Sequence, residues 1–207
     1  MISAGHPVIF SFGSTQVTLF LPKVEELKYN YFHRNVNGIS FPYWAKVWPA
    51  AKALACFITS HSTLITGKKV VEIAGGLGLP SFIAASLARE VICTDADEDA
   101  LLMVKQSIEL NRFTNIEASV FNWNTDASEI DGDVLLMSDV NYDPSQFEAL
   151  LTFIKSQLQK GTTILLSTPQ RLMAKPFIET LLPFIVYREE MEVEATVCNV
   201  FILKVQS

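Results

Sequence analysis

The sequence predicts an α/β fold with a seven-stranded sheet that is mostly parallel and ends in an antiparallel hairpin. From residue 68 onward, short apolar runs alternate with amphipathic stretches, as in a parallel sheet with helices on both faces. A glycine-rich turn, Gly75–Gly78, joins the first apolar run to the next amphipathic stretch. Near the end of the chain, only Ala195–Thr196 separates the long strand candidates 184–194 and 197–205. Strands joined so tightly are antiparallel.

The segment before residue 68 contains three further predicted elements. Residues 8–20 alternate in hydropathy around a turn at Gly13–Ser14 and predict a short hairpin. Residues 28–43 show no period and are expected to form an ordered loop. Pro49 then begins a predicted helix. Four apolar residues share one face of this helix: Ala51, Leu54, Ala55 and Ile58.

Five parallel strands alternate with four helices in the rest of the chain. The predicted strands are 69–73, 90–94, 116–121, 133–138 and 162–167. The predicted helices are 79–88, about 98–110, one that follows Asp143, and about 173–182. Asp97 is expected to cap the second helix, and Asp143, Pro144 and Gly161 mark the two ends of the third.

Length and composition predict one globular domain over residues 1–207. A hairpin, loop and helix form an extension over 1–60, and the alternating segment forms a core over 61–207. Hydrophobic residues make up 49% and charged residues 18%, which is typical of a compact protein. The formal net charge is −6 and the pI about 5.1, which argue against nucleic acid or an anionic membrane as the main partner. An acidic surface of this kind would accept a basic protein segment.

The cysteines and histidines indicate neither a disulfide framework nor a metal site. Three scattered cysteines are best explained as reduced thiols of a cytosolic protein, and the three histidines form no cluster at metal-ligand spacing. The N-terminus lacks the layout of a signal peptide, and no apolar run approaches membrane-spanning length. We therefore expect a cytoplasmic protein without a metal.

The glycine turn and the carboxylate after the next strand predict a nucleotide-like ligand. Small residues at the turn let a ligand approach the main chain, and Asp95, 23 residues after Glu72, can accept hydrogen bonds from a ribose. A dinucleotide fingerprint is broken, because pairing Gly76 with Gly78 puts Ser81 at the third glycine position. Glu72 would repel a pyrophosphate but suits the amino group of S-adenosylmethionine (SAM), directly or through a water. SAM is therefore the better candidate.

The distinctive residues fall at strand ends, where ligands bind in open α/β sheets. These residues are Gly75 and Gly76, Asp95, Asn122 and Trp123, Asp139, and Thr168 and Pro169. Because the first and fourth strands are expected to be neighbours, Glu72, Gly76 and Asp139 should line one crevice. Asn122 would form a hydrogen bond with the amino edge of adenine, and Trp123 would stack on the base.

Each of these residues also has a purely structural explanation. Asp95 could cap the following helix, Trp123 could be an aromatic at the core edge, and Tyr142 could be a packing residue. Asp143 is best explained as a cap, whereas the position of Asp139 directly after a strand is hard to explain in that way. Trp44 and Trp48 are expected to line a surface groove.

Three segments resemble the family-16 seven-β-strand methyltransferases, whose sheet is Rossmann-like. They are Tyr43–Ala45 with Val47–Pro49, Glu72–Pro80 followed by Thr94–Asp95, and the D-x-x-Y motif of Asp139–Tyr142. The family includes lysine methyltransferases of calmodulin, of chaperones and of the electron-transfer flavoprotein β subunit, and some relatives are called nicotinamide-methyltransferase-like. The resemblance runs from about residue 40 to the end.

The resemblance implies a SAM-binding core over 61–207 and a role for each matched residue. The implied cofactor-binding residues are Trp48, Glu72, Ala74, Gly75, Gly76, Gly78, Asp95, Asn122, Trp123 and Asp139. Asp139 and Tyr142 would be catalytic and lie beside the transferred methyl group. Two residues depart from the family pattern. Ala74 replaces a glycine, which is tolerable at negative φ, and Asn141 puts an amide where an apolar residue is usual, which affects the expected substrate preference.

Three functions fit these observations. The first is methylation of a lysine side chain that a protein substrate presents. The second is N-methylation of a small amine, which needs an enclosed pocket. The third is SAM binding by a partner protein without catalysis. The sequence predicts no oligomeric state.

Overall fold

The computed structural model describes residues 5–27, 29, 42–125 and 130–206. Most of the predicted loop at 28–43 lies outside these residues. The predicted N-terminal hairpin is present, with strands β1 (Gly5–Phe12) and β2 (Thr15–Pro22) joined at Gly13–Ser14. β2 packs on a helix of the core, where the Asn111 side chain accepts a hydrogen bond from the Thr18 amide at 2.8 Å and donates one to its carbonyl at 2.6 Å.

The remaining seven strands form one mixed sheet. They are β3 (Lys69–Ile73), β4 (Glu90–Asp95), β5 (Ile116–Val120), β6 (Val134–Ser138), β7 (Thr163–Pro169), β8 (Ile185–Val193) and β9 (Thr196–Leu203). Their order is β5-β4-β3-β6-β7-β9-β8, and only the pairs that involve β9 are antiparallel. The α/β fold with a C-terminal antiparallel hairpin is therefore confirmed, as is the pairing of β3 with β6 across the point where the strand order reverses.

Residues 24–27 are helical, and five further α-helices cover the sheet in the described part of the chain. They are α1 (Pro49–Ser60), α2 (Leu79–Ala85), α3 (Glu98–Asn111), α4 (Phe147–Gln159) and α5 (Lys175–Leu181). The caps formed as the sequence predicts: Asp97 accepts a hydrogen bond from the amide of Asp99, and Asp143 accepts one from the amide of Ser145. Pro144 begins a short 3-10 turn that leads into α4.

The two faces of the sheet bury separate apolar clusters. Val70 of β3 packs on one side with α1, α2 and α3, while Val71 and Ile73 pack on the other side with α4 and α5. The alternation of a strand puts Glu72 on the same side as Val70, where it is fully buried. No helix in the described residues is long and apolar enough to span a membrane, and none of their His, Cys, Asp and Glu side chains form a three-ligand metal cluster.

Several predicted boundaries are wrong: the predicted helix 79–88 ends at Ala85, and two boundaries at the antiparallel end of the sheet are shifted. The final hairpin turns at Glu194 and Ala195, which both have positive φ, instead of at Ala195 and Thr196. Thr168 and Pro169 belong to β7 instead of following it, because β9 continues to pair with the strand up to the partners Pro169 and Cys198. That pairing is a long-range contact that the local sequence does not encode.

Candidate active site

A cavity of about 760 Å³ opens at the carboxyl ends of β3, β4, β6 and β7. Its volume lies within the range of small-molecule sites, about 300–1,000 Å³. The wall combines the turn after β3, the loops after β4 and β6, Arg171 after β7, and the segment that enters α1. The strand-end prediction thus located the cavity.

The turn after β3 brings backbone close to the cavity. Its φ angles are +51° at Ala74, +56° at Gly76 and +73° at Gly78, and the Gly78 amide donates to the Gly75 carbonyl at 2.8 Å. A Cβ at Gly76 would meet the Trp44 carbonyl oxygen at 3.1 Å, so a side chain there would push the turn and Trp44 apart. The condition of a negative φ at Ala74 is not met: this alanine adopts the left-handed conformation that usually favours glycine.

Glu72 does not line the cavity, contrary to the prediction. Its carboxylate is fully buried beneath the turn, where it accepts hydrogen bonds from the Ser81 amide at 2.9 Å and the Ser81 hydroxyl at 2.5 Å. Burial, opposed by these two hydrogen bonds, raises the pKa of Glu72 to about 8. The geometry therefore makes Glu72 a support that ties β3 to the start of α2, instead of a direct contact for a ligand's amino group.

Asp95 lies where the sequence predicts, in the cavity wall at the end of β4. One carboxylate oxygen accepts the Gly76 amide at 2.8 Å, and the other accepts the Asp97 amide at 3.0 Å. Burial raises the pKa of Asp95 above its ordinary value, although both hydrogen bonds act in the opposite direction. Each oxygen keeps a second lone pair, so the carboxylate can also accept from a ligand hydroxyl.

Trp123 and Asn122 separate in the structure. Trp123 lines the cavity, and its indole Nε1 is buried without a hydrogen-bond partner among the described residues. Asn122 does not line the cavity, because its side-chain oxygen turns to the Asn124 amide at 2.9 Å. The prediction that Asn122 reads a base is therefore not supported by its position.

An aromatic rim closes one side of the cavity. The Trp48 indole nitrogen donates to the Tyr43 carbonyl at 2.8 Å, and the Tyr43 and Tyr142 ring centroids are 5.3 Å apart. Lys46 Nζ lies 4.7 Å from the centroid of the Trp48 ring. Partial burial, helped by Asp143, raises the pKa of the Tyr142 phenol, which therefore stays protonated at neutral pH.

Asp139 lies directly after β6 and forms an ion pair that the sequence analysis missed. Its φ is +56°, and its amide donates to the Ser167 carbonyl at 2.9 Å, which fixes the residue to β7. Arg171 forms a hydrogen bond with each carboxylate oxygen: Nη1 donates to Oδ1, and Nη2 donates to Oδ2 at 2.9 Å. The carboxylate is thus held in a bidentate pair in the cavity wall.

Asn141 has a structural role that differs from the expected one. The side chain is fully buried, and its oxygen accepts the Thr168 hydroxyl at 2.7 Å. It therefore ties the loop after β6 to β7, and it does not line the cavity. The expected influence of this amide on substrate preference is not supported.

The cavity brings together most of the candidate site residues. Those that line it are Trp48, Ala74, Gly75, Gly76, Gly78, Asp95, Trp123, Asp139 and Tyr142, whereas Glu72 and Asn122 do not. Sequence reasoning missed Arg171, Tyr43 and Lys46 as lining residues. Arg171 comes two residues after the last residue of β7, so the rule that located Asp95 and Asp139 could have found it once the full length of β7 was known.

The donors and acceptors of the cavity fit a nucleoside such as that of SAM. Asp95 offers carboxylate oxygens to ribose hydroxyls, the buried Trp123 Nε1 lacks a partner among the described residues, and Gly75, Gly76 and Gly78 line the wall. These are the features that the turn and the following carboxylate predict.

Comparisons with known proteins identify the family. The lysine methyltransferase family profile matches residues 35–182, which is more than half of the chain. Human histone-arginine methyltransferase METTL23 is 32% identical over 143 residues, covering 66% of this chain and 75% of that protein. The electron transfer flavoprotein beta subunit lysine methyltransferase of Danio rerio is 33% identical over 134 residues, covering 63% of this chain and 51% of that one. The chain thus spans about half the length of the zebrafish relative and also of mouse METTL23.

A solved structure shows the same fold. The T. thermophilus 16S rRNA N2 G1207 methyltransferase RsmC, in complex with AdoMet and guanosine, matches with a TM-score of 0.65 at 16% identity. The match covers 99% of this chain and 51% of that one, and at this identity it concerns the fold alone. The family match, with the fold that accompanies it, shows that the chain belongs to the lysine methyltransferase family.

Proposed function

We propose that the chain is a SAM-dependent N-methyltransferase that methylates a lysine side chain of a protein. The observation that carries this proposal is the position of the Asp139 carboxylate in the same cavity as the glycine turn and Asp95. β3 and β6 are adjacent, so the turn that follows β3 and Asp139, which follows β6, face a common space. A cofactor held by the turn would therefore lie beside a carboxylate able to receive an amine.

Residues of the turn and of β4 would hold the cofactor. Asp95 would accept the ribose hydroxyls, Trp123 would contact the adenine, and Trp48 would cover the cofactor from the side of α1. SAM supplies a methyl group on a sulfonium, which a nucleophile displaces in line. The protein's task is consequently to align a neutral nitrogen with that methyl group.

The acceptor side of the cavity suits an amine. A lysine arrives as an ammonium ion and must lose a proton before its nitrogen can attack. Asp139 would accept a hydrogen bond from the amine and so direct its lone pair, while Tyr142 and Tyr43 enclose the aliphatic stem. Desolvation and the positive charge of the SAM sulfonium lower the pKa of the amine, which favours the neutral nucleophile.

The shape of the site favours a protein over a small amine. The side chains of Tyr43 and Tyr142 at its rim are 43% and 45% exposed, so a side chain can enter from a bound polypeptide. The net charge of −6 suits a substrate segment that is basic overall. The Danio rerio relative is named for a protein lysine substrate.

Arginine is a second candidate acceptor, and a specific contact favours it. Asp139 binds the guanidinium of Arg171 through both oxygens, so the carboxylate has the geometry to hold an arginine side chain. The human relative is named a histone-arginine methyltransferase. Methylated arginine and methylated lysine are separable products, so one experiment distinguishes the two acceptors.

The test uses tritium-labelled SAM and a proteome depleted of endogenous methylation. We expect label in protein, and acid hydrolysis should release methyl-lysine. Methyl-arginine alone would support the second candidate. Label in small metabolites alone would support the small-amine alternative, and SAM binding without any transfer would support a non-catalytic partner. Each of these three results would contradict methylation of lysine, and the last two would also exclude methylation of a protein.

We also propose that the protein works in the cytoplasm. All three cysteines are free, and burial raises the pKa of the Cys93 thiol well above its ordinary value. Protonated, unpaired thiols are the usual state in a reducing compartment. Fractionation of cells that express the full-length protein would test this, and recovery in an oxidising compartment would contradict it.

A further inference from the structure

The ion pair between Asp139 and Arg171 affects how an acceptor ammonium ion can bind in the cavity. Each oxygen of Asp139 accepts one hydrogen bond from the guanidinium, so the charge of the carboxylate that should receive the acceptor amine is already balanced. An incoming ammonium must therefore compete with a bidentate arginine, which is among the stronger ion pairs in proteins. If the ammonium takes the place of Arg171 on Asp139, the displaced guanidinium is left without an anion.

The two partners differ in how well water can reach them. The Asp139 side chain is 9% exposed, whereas that of Arg171 is 30% exposed. A carboxylate so nearly buried cannot be left unpaired without a large desolvation cost. The guanidinium, by contrast, lies within reach of a group that arrives through the mouth of the cavity.

Within the described part of the chain, Arg171 forms an ion pair with Asp139 alone. Its side-chain hydrogen bonds there also go to Asp139. Asp143, the next acidic residue along the loop, already accepts hydrogen bonds from the Ser145 amide and hydroxyl at 2.9 and 2.8 Å. A substrate carboxylate that enters beside the acceptor amine would supply the anion that replaces Asp139 on Arg171.

We propose that Arg171 is a specificity residue that selects acceptor lysines with an aspartate or glutamate close by in the substrate. The two proteins exchange ion pairs: the acceptor ammonium takes the place of Arg171 on Asp139, and the substrate carboxylate takes the place of Asp139 on Arg171. Charge balances before and after the exchange. Because the two groups of the enzyme are in direct contact, the two groups of the substrate must lie close together, as they do when the acidic residue is within a few positions of the lysine.

The surface next to Arg171 agrees with a polypeptide passing over it. Leu172 and Met173, which follow Arg171 directly, are 92% and 49% exposed. These apolar side chains at the edge of the site can pack against a substrate peptide whose acidic residue binds Arg171. The inference rests on the proposed function, since it names a feature of the substrate of the same site.

The test is a peptide library with one fixed central lysine and randomised flanking residues, incubated with labelled SAM. For the unsubstituted protein we expect Asp and Glu within three or four positions of the lysine to be enriched about fivefold, the factor that corresponds to about 1 kcal/mol from one accessible ion pair. Arg171→Lys, which keeps the charge, should retain a weaker preference. Arg171→Gln should lose the preference, so that peptides with and without acidic residues are methylated at equal rates relative to each other, while the unpaired Asp139 lowers the overall rate.

The control is Arg89→Gln, which removes another arginine, one that pairs with Asp133 outside the cavity. It should keep the acidic preference in full. Methylation without enrichment of acidic residues, or enrichment that persists in Arg171→Gln, would overturn the inference and leave the proposed function intact. Absence of any methylated peptide despite SAM binding would contradict the proposed function itself, and the inference with it. SAM titration of each variant verifies that it is folded.

Discussion

Two carboxyl groups flank the glycine turn, and their surroundings give them different roles. Glu72 lies beneath the turn, fully buried, with both of its hydrogen bonds going to Ser81. Asp95 lies on the cavity side and accepts a backbone amide on each oxygen. Substitutions of the two should therefore differ: one should change the stability of the fold, and the other should change ligand binding.

Glu72→Gln should alter how stability depends on pH. Burial raises the pKa of Glu72 to about 8 in the folded chain, whereas an unfolded glutamate has a pKa of about 4.3. The folded state therefore binds the proton more tightly, and the stability that this proton contributes is present below about pH 4.3 and is lost as pH rises towards 8. The glutamine cannot ionise and mimics the protonated acid.

We expect Tm to fall between pH 5.5 and pH 8.5 more steeply in the unsubstituted protein than in Glu72→Gln. Thermal unfolding at several pH values measures the two slopes. Glu117→Gln, at an exposed position of β5, should leave the slope unchanged. Parallel slopes for Glu72→Gln and the unsubstituted protein would show that the buried carboxyl does not titrate in this range.

Asp95→Ala should weaken SAM binding by about 1.5–3 kcal/mol, the usual value of hydrogen bonds to a charged group. The physical reason is the loss of the carboxylate that would accept the ribose hydroxyls, together with its bond to the Gly76 amide. Calorimetric titration gives the dissociation constant. Asp131→Ala, at a side chain that is 95% exposed, is the control. Unchanged affinity in Asp95→Ala would remove Asp95 from the binding site.

At the scale of elements, the turns show where backbone conformation departs from what the residue types favour. Ala74 in the glycine turn and Glu194–Ala195 in the final hairpin adopt positive φ without glycine. The left-handed conformation costs a non-glycine residue about 1–2 kcal/mol. Pairing of β8 with β9 across a two-residue loop requires positive φ at Glu194 and Ala195, and the strands around β3 hold the turn that contains Ala74.

Ala74→Gly should stabilise the protein by about 1 kcal/mol, because glycine adopts the φ of +51° without strain. Chemical denaturation measures the free energy of unfolding. The same substitution in a helix is the matched control: Ala84→Gly in the buried α2 should lose at least about 1 kcal/mol. If Ala74→Gly is destabilised to the same extent as the control, the left-handed conformation at Ala74 is not strained.

These elements also show what the sequence could predict. The caps at Asp97 and Asp143 formed as expected, since a cap depends on residues within one helical turn. The position of the hairpin turn at Glu194–Ala195 was not predicted correctly, since neither residue favours positive φ. The extension of β7 to Pro169 was likewise missed, because only pairing with β9 defines it.

At the scale of the whole molecule, the sheet topology assembles the site. The residues of the cavity come from segments as distant as Trp48 and Arg171, and strand order brings their ends together. Asp95 and Asp139 could be predicted because carboxylates at strand ends stand out in the sequence. The burial of Glu72 and the pairing of Arg171 could not, since both depend on how side chains pack in three dimensions.

The central claim is that Asp139 orients the acceptor amine for transfer from SAM. Its most direct test is Asp139→Asn, which keeps the size of the side chain and an acceptor for Arg171 but removes the charge that attracts the amine. Asp143→Asn is the matched control, since it removes a charge four residues away and asparagine still caps the turn.

Transfer of labelled methyl to the acceptor protein and calorimetric SAM binding are measured on both variants. We expect Asp139→Asn to fold and to bind SAM with near-normal affinity, while transfer falls at least about tenfold, a loss of about 1.4 kcal/mol in transition-state stabilisation. Asp143→Asn should stay within about twofold of the unsubstituted protein, a difference of about 0.4 kcal/mol. Near-normal transfer by Asp139→Asn would contradict the account and would require another residue to receive the amine.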